Sequence, residues 1–197
     1  MHFLRFLSSD LVVWAFRFWF RHFGVISFWM LFAALGRAVQ MRFFGPISSP
    51  LSISLEVIVE VARIVTLLAI IGCGSLSAGI RKVAGIYRSN RQQWSDFGRK
   101  MRLTLRQFWP VLLWNLLVFS LIAFGFNRVN GLLADHSAVL PFLKKTGVMQ
   151  ASATSMPIVF FLKNLTVIPF TLVFDYTLVR WLVDKRGVTN AYLQTGA

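Results

Sequence analysis

The chain has 197 residues, of which 56% are hydrophobic and 14% charged, with 21 Lys and Arg against 7 Asp and Glu and a formal net charge of +14. Water-soluble domains are less apolar, and the cations stand between long apolar runs instead of forming a continuous patch, so the basic character points to a membrane protein and away from nucleic acid. The single cysteine, Cys73, excludes an intramolecular disulfide framework and a cysteine metal cluster, and reads as a small packed residue of an apolar run.

The N-terminal stretch MHFLRFLSSDLVVWAFRFWFRHFG starts basic, but Asp10 and Arg17 interrupt the apolar core of a signal peptide and no small-residue cleavage site follows, so it is expected to be retained. Residues 3–21 read as an amphipathic surface helix. Asp10, Arg17 and Arg21 share one face, Phe3, Leu7, Trp19 and Phe20 spread over the rest, and nothing breaks the helix before Gly24. A bilayer core of about 30 Å needs roughly 17–25 apolar helical residues. Four stretches meet that length: 22–40; 57–80, apolar from Ile64 onward; 108–127, FWPVLLWNLLVFSLIAFGFN; and 156–182, with Pro169 as a kink point. Segment 128–154 reads as a loop or as an interfacial or re-entrant piece, and its Pro141 and scattered charges argue against a fifth span. The expected fold is a single all-α domain over 1–197: an integral membrane helical bundle of four transmembrane helices plus basic amphipathic surface helices at 3–21 and 86–107.

Before the third span, Arg88, Arg91, Ser95, Arg99, Arg102 and Arg106 recur at three- and four-residue steps, which keeps them on one helical face. Trp94, Phe97, Met101, Leu105 and Phe108 form a neighbouring apolar stripe. Such a helix suits the surface of a bilayer with anionic lipids, where each cation contributes about 1 kcal/mol, or the docking of a partner subunit. With both termini cytoplasmic, the cytoplasmic side carries fourteen cations: Arg5, Arg17, Arg21, Arg81, Lys82, Arg88, Arg91, Arg99, Lys100, Arg102, Arg106, Arg180, Lys185 and Arg186. The other side carries five, Arg37, Arg42, Arg128, Lys144 and Lys145, and the positive-inside rule selects this orientation.

Ionisable groups inside spans are costly enough to need a role. Glu56, Glu60 and Arg63 share a face of the second span, and Lys163 and Asp175 lie in the fourth. Glu60 is expected to pair with Lys163, and Asp175 with Arg180 or the basic surface helix. These pairs serve either packing or a proton or ion path. The small residues of GCGSLSAG, stepping from Gly74 to Ala78 and from Ser75 to Gly79, mark a close helix-contact face, within the protein or with a partner.

Phosphate loops, dinucleotide fingerprints, zinc-protease histidine pairs and nucleophile elbows do not occur. The scattered histidines His2, His22 and His136 give no metal site; His22 stands where a haem or pigment ligand would sit, but reads as interfacial. No cofactor and no catalytic residue are expected.

The stretch GSLSAGIRKVAGIYRSNRQQWSDFGRKMRLTLRQFWPVLLWNLL, followed later by VFDYTLVRWLVDKRG, resembles a broad group of bacterial membrane proteins that includes the membrane domain attached to some glycerophosphodiester phosphodiesterases. In that group a span ends in small residues, a basic amphipathic helix leads to the next span, and the last span closes with an aspartate, aromatic and arginine cluster, here Asp175, Tyr176 and Arg180. The resemblance covers about half the chain, which is shorter than the six-span members of the group. It implies a helical bundle and transfers no catalytic residue. The expectation is therefore a non-catalytic accessory or scaffolding subunit of a larger complex in a bacterial inner membrane, its partners being anionic lipids and other membrane subunits or further copies of itself. The alternative is an oligomeric transporter or channel component.

Overall fold

The computed structural model describes residues 9–184, and every regular element among them is a helix. Phe3, Leu7, Arg5, Lys185 and Arg186 lie outside the described residues. The elements are α1 (Asp10–Arg21), α2 (Phe23–Gln40), α3 (Ser49–Ile71), α4 (Leu76–Tyr87), α5 (Arg91–His136), α6 (Val139–Lys145), α7 (Met156–Leu165) and α8 (Val167–Val183). α2, α5 and the α7–α8 pair are long and apolar enough to cross a membrane, and the bent α3–α4 pair makes a fourth if it counts as one span.

The first helix packs one apolar stripe on the bundle and leaves its other side exposed. Asp10, Arg17 and Arg21 do share an exposed face. The opposite stripe of Leu11, Val12, Ala15, Phe18 and Trp19 is buried, and Phe16 stacks 4.4 Å from Phe170 of α8 and 6.3 Å from Phe126 of α5. An aromatic face of this size finds its apolar partner within the chain. The helix ends at Arg21, the bound expected for it, and His22, with φ −109° and ψ 18°, separates α1 from α2.

α2 and α3 run antiparallel: Gly36 of α2 faces Val59 of α3 near one end, and His22 lies beside Gly74 at the other. The second span does not continue to residue 80. α3 stops at Ile71, Cys73 (φ 53°) and Gly74 (φ 93°) turn the backbone through left-handed conformations, and α4 departs at 86°. Only glycine adopts such a φ without cost, so Gly74 suits the turn while Cys73 is exposed within it, not packed. Ser75 Oγ accepts from the Ala78 amide as the α4 cap, and Lys82 Nζ reaches back 2.8 Å to the Ile71 carbonyl, satisfying an orphan acceptor at the end of α3.

The amphipathic segment expected at 86–107 is likewise divided. α4 ends at Tyr87, and α5 begins at Arg91 behind a capping box in which Asn90 Oδ1 accepts from the Gln93 amide (2.9 Å) and Gln93 Oε1 accepts from the Asn90 amide (3.1 Å). α5 then runs for 46 residues with one irregularity, Phe108 at φ −122° and ψ 21°, two positions before Pro110. Proline lacks an amide proton and its ring collides with the carbonyl one turn back, which accounts for the kink. From Phe108 onward α5 packs antiparallel to α8, with Phe108 against Trp181 (6.2 Å) and Phe119 stacked on Phe174 (4.2 Å, 11°).

α5 also continues to His136, so the first part of segment 128–154 is helical. α6 and the following loop fold over a second core of Ala134, Met149, Ala153 and Ile158, fastened where the Gln150 amide donates to the Phe43 carbonyl (3.1 Å). The fourth apolar stretch is broken at Thr166 (φ −121°, ψ −74°), not at Pro169. The break places Pro169 in the first turn of α8, where a missing amide proton costs no hydrogen bond.

Candidate functional site

Four charged residues of α2 and α3, Arg37, Glu56, Glu60 and Arg63, gather into one row. Arg37 of α2 grips Glu56 of α3 with both guanidinium ends (2.6 and 2.7 Å), and Gln40 adds donations to Glu56 Oε2 (3.1 Å) and to the Ser52 carbonyl (2.9 Å). Two-point Arg–carboxylate pairing is geometrically selective and fixes how the two helices slide past each other. Glu60 bonds Arg63 one turn along (2.6 Å) and lies 3.6 Å from Arg37. Two guanidinium groups against two carboxylates leave the row neutral.

The expected pairing of Glu60 with Lys163 is not formed. Lys163 Nζ sits 5.5 Å over the ring of Phe160 in its own helix, and it is the next residue, Asn164, that turns toward α3 and accepts from Arg63 Nη2 at 3.3 Å. One residue is 100° of helical rotation, enough to exchange a lysine for an amide at the interface. Asp175 is exposed and makes no ion pair with Arg180 or the α5 arm among the described residues.

The polar row continues into the bundle through groups that carry no charge. Asn164 is fully buried, and its amide donates to the Phe160 carbonyl (2.8 Å). Two residues on, at the α7–α8 break, Thr166 Oγ1 accepts from buried Asn130 of α5 (2.9 Å) and donates to the Leu162 carbonyl (2.8 Å). Side-chain contacts therefore run from Gln40 at the α2 terminus to the broken helix. Inspecting only ionisable groups misses Asn130 and Asn164, because the nearby cations Arg128 and Lys163 draw the attention.

The small residues serve a different contact from the one expected. Gly74 and Gly79 pack the α3–α4 corner, not a straight helix face: a methyl group on Gly74 would stand 2.6 Å from His22 Nδ1, and one on Gly79 would collide with the Leu68 carbonyl. Ser75 and Ala78 form the cap between them. His22 stacks on Phe18 (4.5 Å), and partial burial, aided by the charge of Arg21, holds its pKa below the ordinary histidine value.

At this same end, residues 91–107 of α5 extend beyond the bundle, and none of them is buried. Arg91, Arg99, Arg102 and Arg106 are exposed along with Trp94, Met101 and Leu105; Arg99 bonds Asp96 one turn away (2.7 Å). Arg88 stands apart from this helix, as the residue that ends α4. The opposite end holds an apolar groove of about 440 Å³ between α2, the end of α5, α6 and α7, walled by Leu35, Ala38, Phe43, Leu133, Leu143 and Ile158. Compared with protein-family models, curated proteins and solved structures, the chain matches none.

Proposed function

We propose that this chain is a non-catalytic integral subunit of a bacterial cytoplasmic membrane, crossing it four times through α2, α3, α5 and α7–α8 and docking a larger membrane complex through the basic arm of α5. The observation that carries the reading is the arm itself. Residues 91–107 present cations and large apolar side chains, none of which is buried by the rest of the bundle among the described residues. The exposed side chains of the apolar helices, among them Phe28, Phe32, Leu117, Leu121 and Phe124, suit a lipid surround. The end that carries α4 and the arm also holds Arg17, Arg21, Arg81 and Lys82, the positive excess of a cytoplasmic face.

Native mass spectrometry of tagged protein, extracted in mild detergent from its own membrane, tests the reading. Recovery with other subunits in fixed stoichiometry, lost when Arg91, Arg99, Arg102 and Arg106 are changed together to Gln, supports it. Recovery alone overturns it and leaves the second reading. That reading, a solute or ion path, is favoured by one observation: the polar side chains of Arg63, Asn130 and Asn164 gather where the apolar span α7–α8 is interrupted at Thr166.

A further inference from the structure

The groove at the end of the bundle opposite the arm has a wall and a rim of different chemistry. Its wall is apolar apart from Ser137. Its shape is set by backbone ties, because the Met149 amide bonds the Leu143 carbonyl (3.0 Å) and the Gln150 amide bonds that of Phe43. Leu35, Phe44 and Leu133 are at least half exposed, so the groove opens sideways, toward the surface that the preceding section assigns to lipid. A volume of about 440 Å³ falls in the range of roughly 300–1,000 Å³ that holds an extended small molecule.

The rim is cationic. Arg42 immediately precedes the wall residues Phe43 and Phe44, and Lys144 and Lys145 immediately follow the wall residue Leu143. None of the three is engaged by a carboxylate among the described residues, whereas Arg37, Arg63 and Arg99 all are. Of the nearby acids, Glu56 and Glu60 are held by arginines, which leaves exposed Asp135 against three cations. Arg42 moreover is exposed and occupies a left-handed conformation (φ 66°), unfavourable for an arginine, in the turn that leads directly into the wall residues.

We propose that the groove holds one acyl chain of an anionic phospholipid whose phosphate is met by Arg42, Lys144 and Lys145. The proposal rests on the membrane placement given above. Apolar wall and cationic rim together discriminate this occupant from a zwitterionic lipid, which gains less from the cations, and from an apolar protein helix, which has no use for them.

The test uses the full chain in nanodiscs made with phosphatidylglycerol or with phosphatidylcholine, released into mild detergent for native mass spectrometry. One phosphatidylglycerol retained per chain, with phosphatidylcholine retained far less, is the expected result. Changing Arg42, Lys144 and Lys145 together to Gln weakens that retention roughly a hundredfold, at about fivefold per cation. Filling the groove with Ala38→Phe, or with the more exposed and therefore better tolerated Val139→Trp, abolishes it while the thermal midpoint stays near that of the parent. Equal retention of the two lipids, or full retention in a folded groove-filled variant, means annular lipid only and overturns the proposal. A carbonate wash separates the two readings. Protein that stays in the membrane yet retains no anionic lipid refutes the groove alone, and protein that washes out refutes the membrane placement as well.

Discussion

Arg63 of α3 donates to the amide oxygen of Asn164 of α7 across 3.3 Å, two positions before that helix breaks. Interhelical hydrogen bonds inside membranes contribute about 0.6 kcal/mol on average and up to about 1.7 kcal/mol. Asn164→Leu removes this bond and the local one to Phe160, so it should destabilise by about 1–2 kcal/mol. Lys163→Met, one residue away, should stay within about 0.5 kcal/mol of the parent, because that side chain only overlies Phe160. Unfolding titrations of both variants in the same bicelles check the pair; equal losses would mean that the two residues share the interface.

The α3–α4 corner gives a second contrast, between glycines. A methyl group at Gly79 meets the Leu68 backbone, which has no side-chain freedom to yield, whereas one at Gly85, on the same helix, meets nothing within 4 Å. Gly79→Ala should destabilise by about 1–3 kcal/mol, as overpacking does. Gly85→Ala should stabilise by about 0.5–1 kcal/mol through helix propensity. Thermal melts of the two variants suffice, and opposite signs are the expected outcome.

Hydropathy revealed the helical class and the four apolar stretches because span length is a one-dimensional property of composition. What it did not reveal depends on rotation and on breaks. Lys163 attracted attention as a charge, yet rotation by one residue puts Asn164 at the α3 interface in its place, against Arg63 and not Glu60. α1 reads as a surface helix because its polar face is real, but only the tertiary fold shows Phe16 and Trp19 stacked on Phe170. The bend after Ile71 was written in Gly72 and Gly74, which a small-residue motif explains equally well as a straight packing face. The groove was invisible because Leu35 and Ile158 come from two different spans, Phe43 from the connection after one of them, and Leu133 from the segment that reads as a loop or interfacial piece.

The arm of α5 lends itself to a lipid-dependent accessibility measurement. In a Cys73→Ser background, Met101→Cys places a thiol on the apolar stripe of the arm. On an anionic bilayer the neighbouring arginines hold that stripe against lipid, so labelling by a water-soluble maleimide should be slower in phosphatidylglycerol nanodiscs than in phosphatidylcholine ones. Raising salt to about 1 M, where the screening length shrinks to about 3 Å, should abolish the difference. Changing Arg91, Arg99, Arg102 and Arg106 to Gln should do the same without altering the thermal midpoint, since residues 91–107 contribute nothing to the buried core. Labelling that is slow in both lipids would show the stripe to be covered by protein.

His22 predicts a dependence on pH whose sign follows from its surroundings. Burial first, and the charge of Arg21 second, lower its pKa in the folded chain below the ordinary value of 6.5. The unfolded chain therefore binds a proton more readily, and stability rises with pH wherever it does so. The contribution of His22 is fully present above about 6.5 and is lost as pH falls from there through the lowered folded value. His22→Gln, which keeps a polar group beside Gly74 but cannot take up the proton, should flatten the stability profile between about pH 7.5 and 5 relative to the parent, leaving only the slope of the titrating groups common to both. The difference between the two chains is the quantity to measure. An identical slope in parent and variant would place the His22 ring in free solvent, and a steeper fall in the variant would require the histidine to be stabilised as the cation.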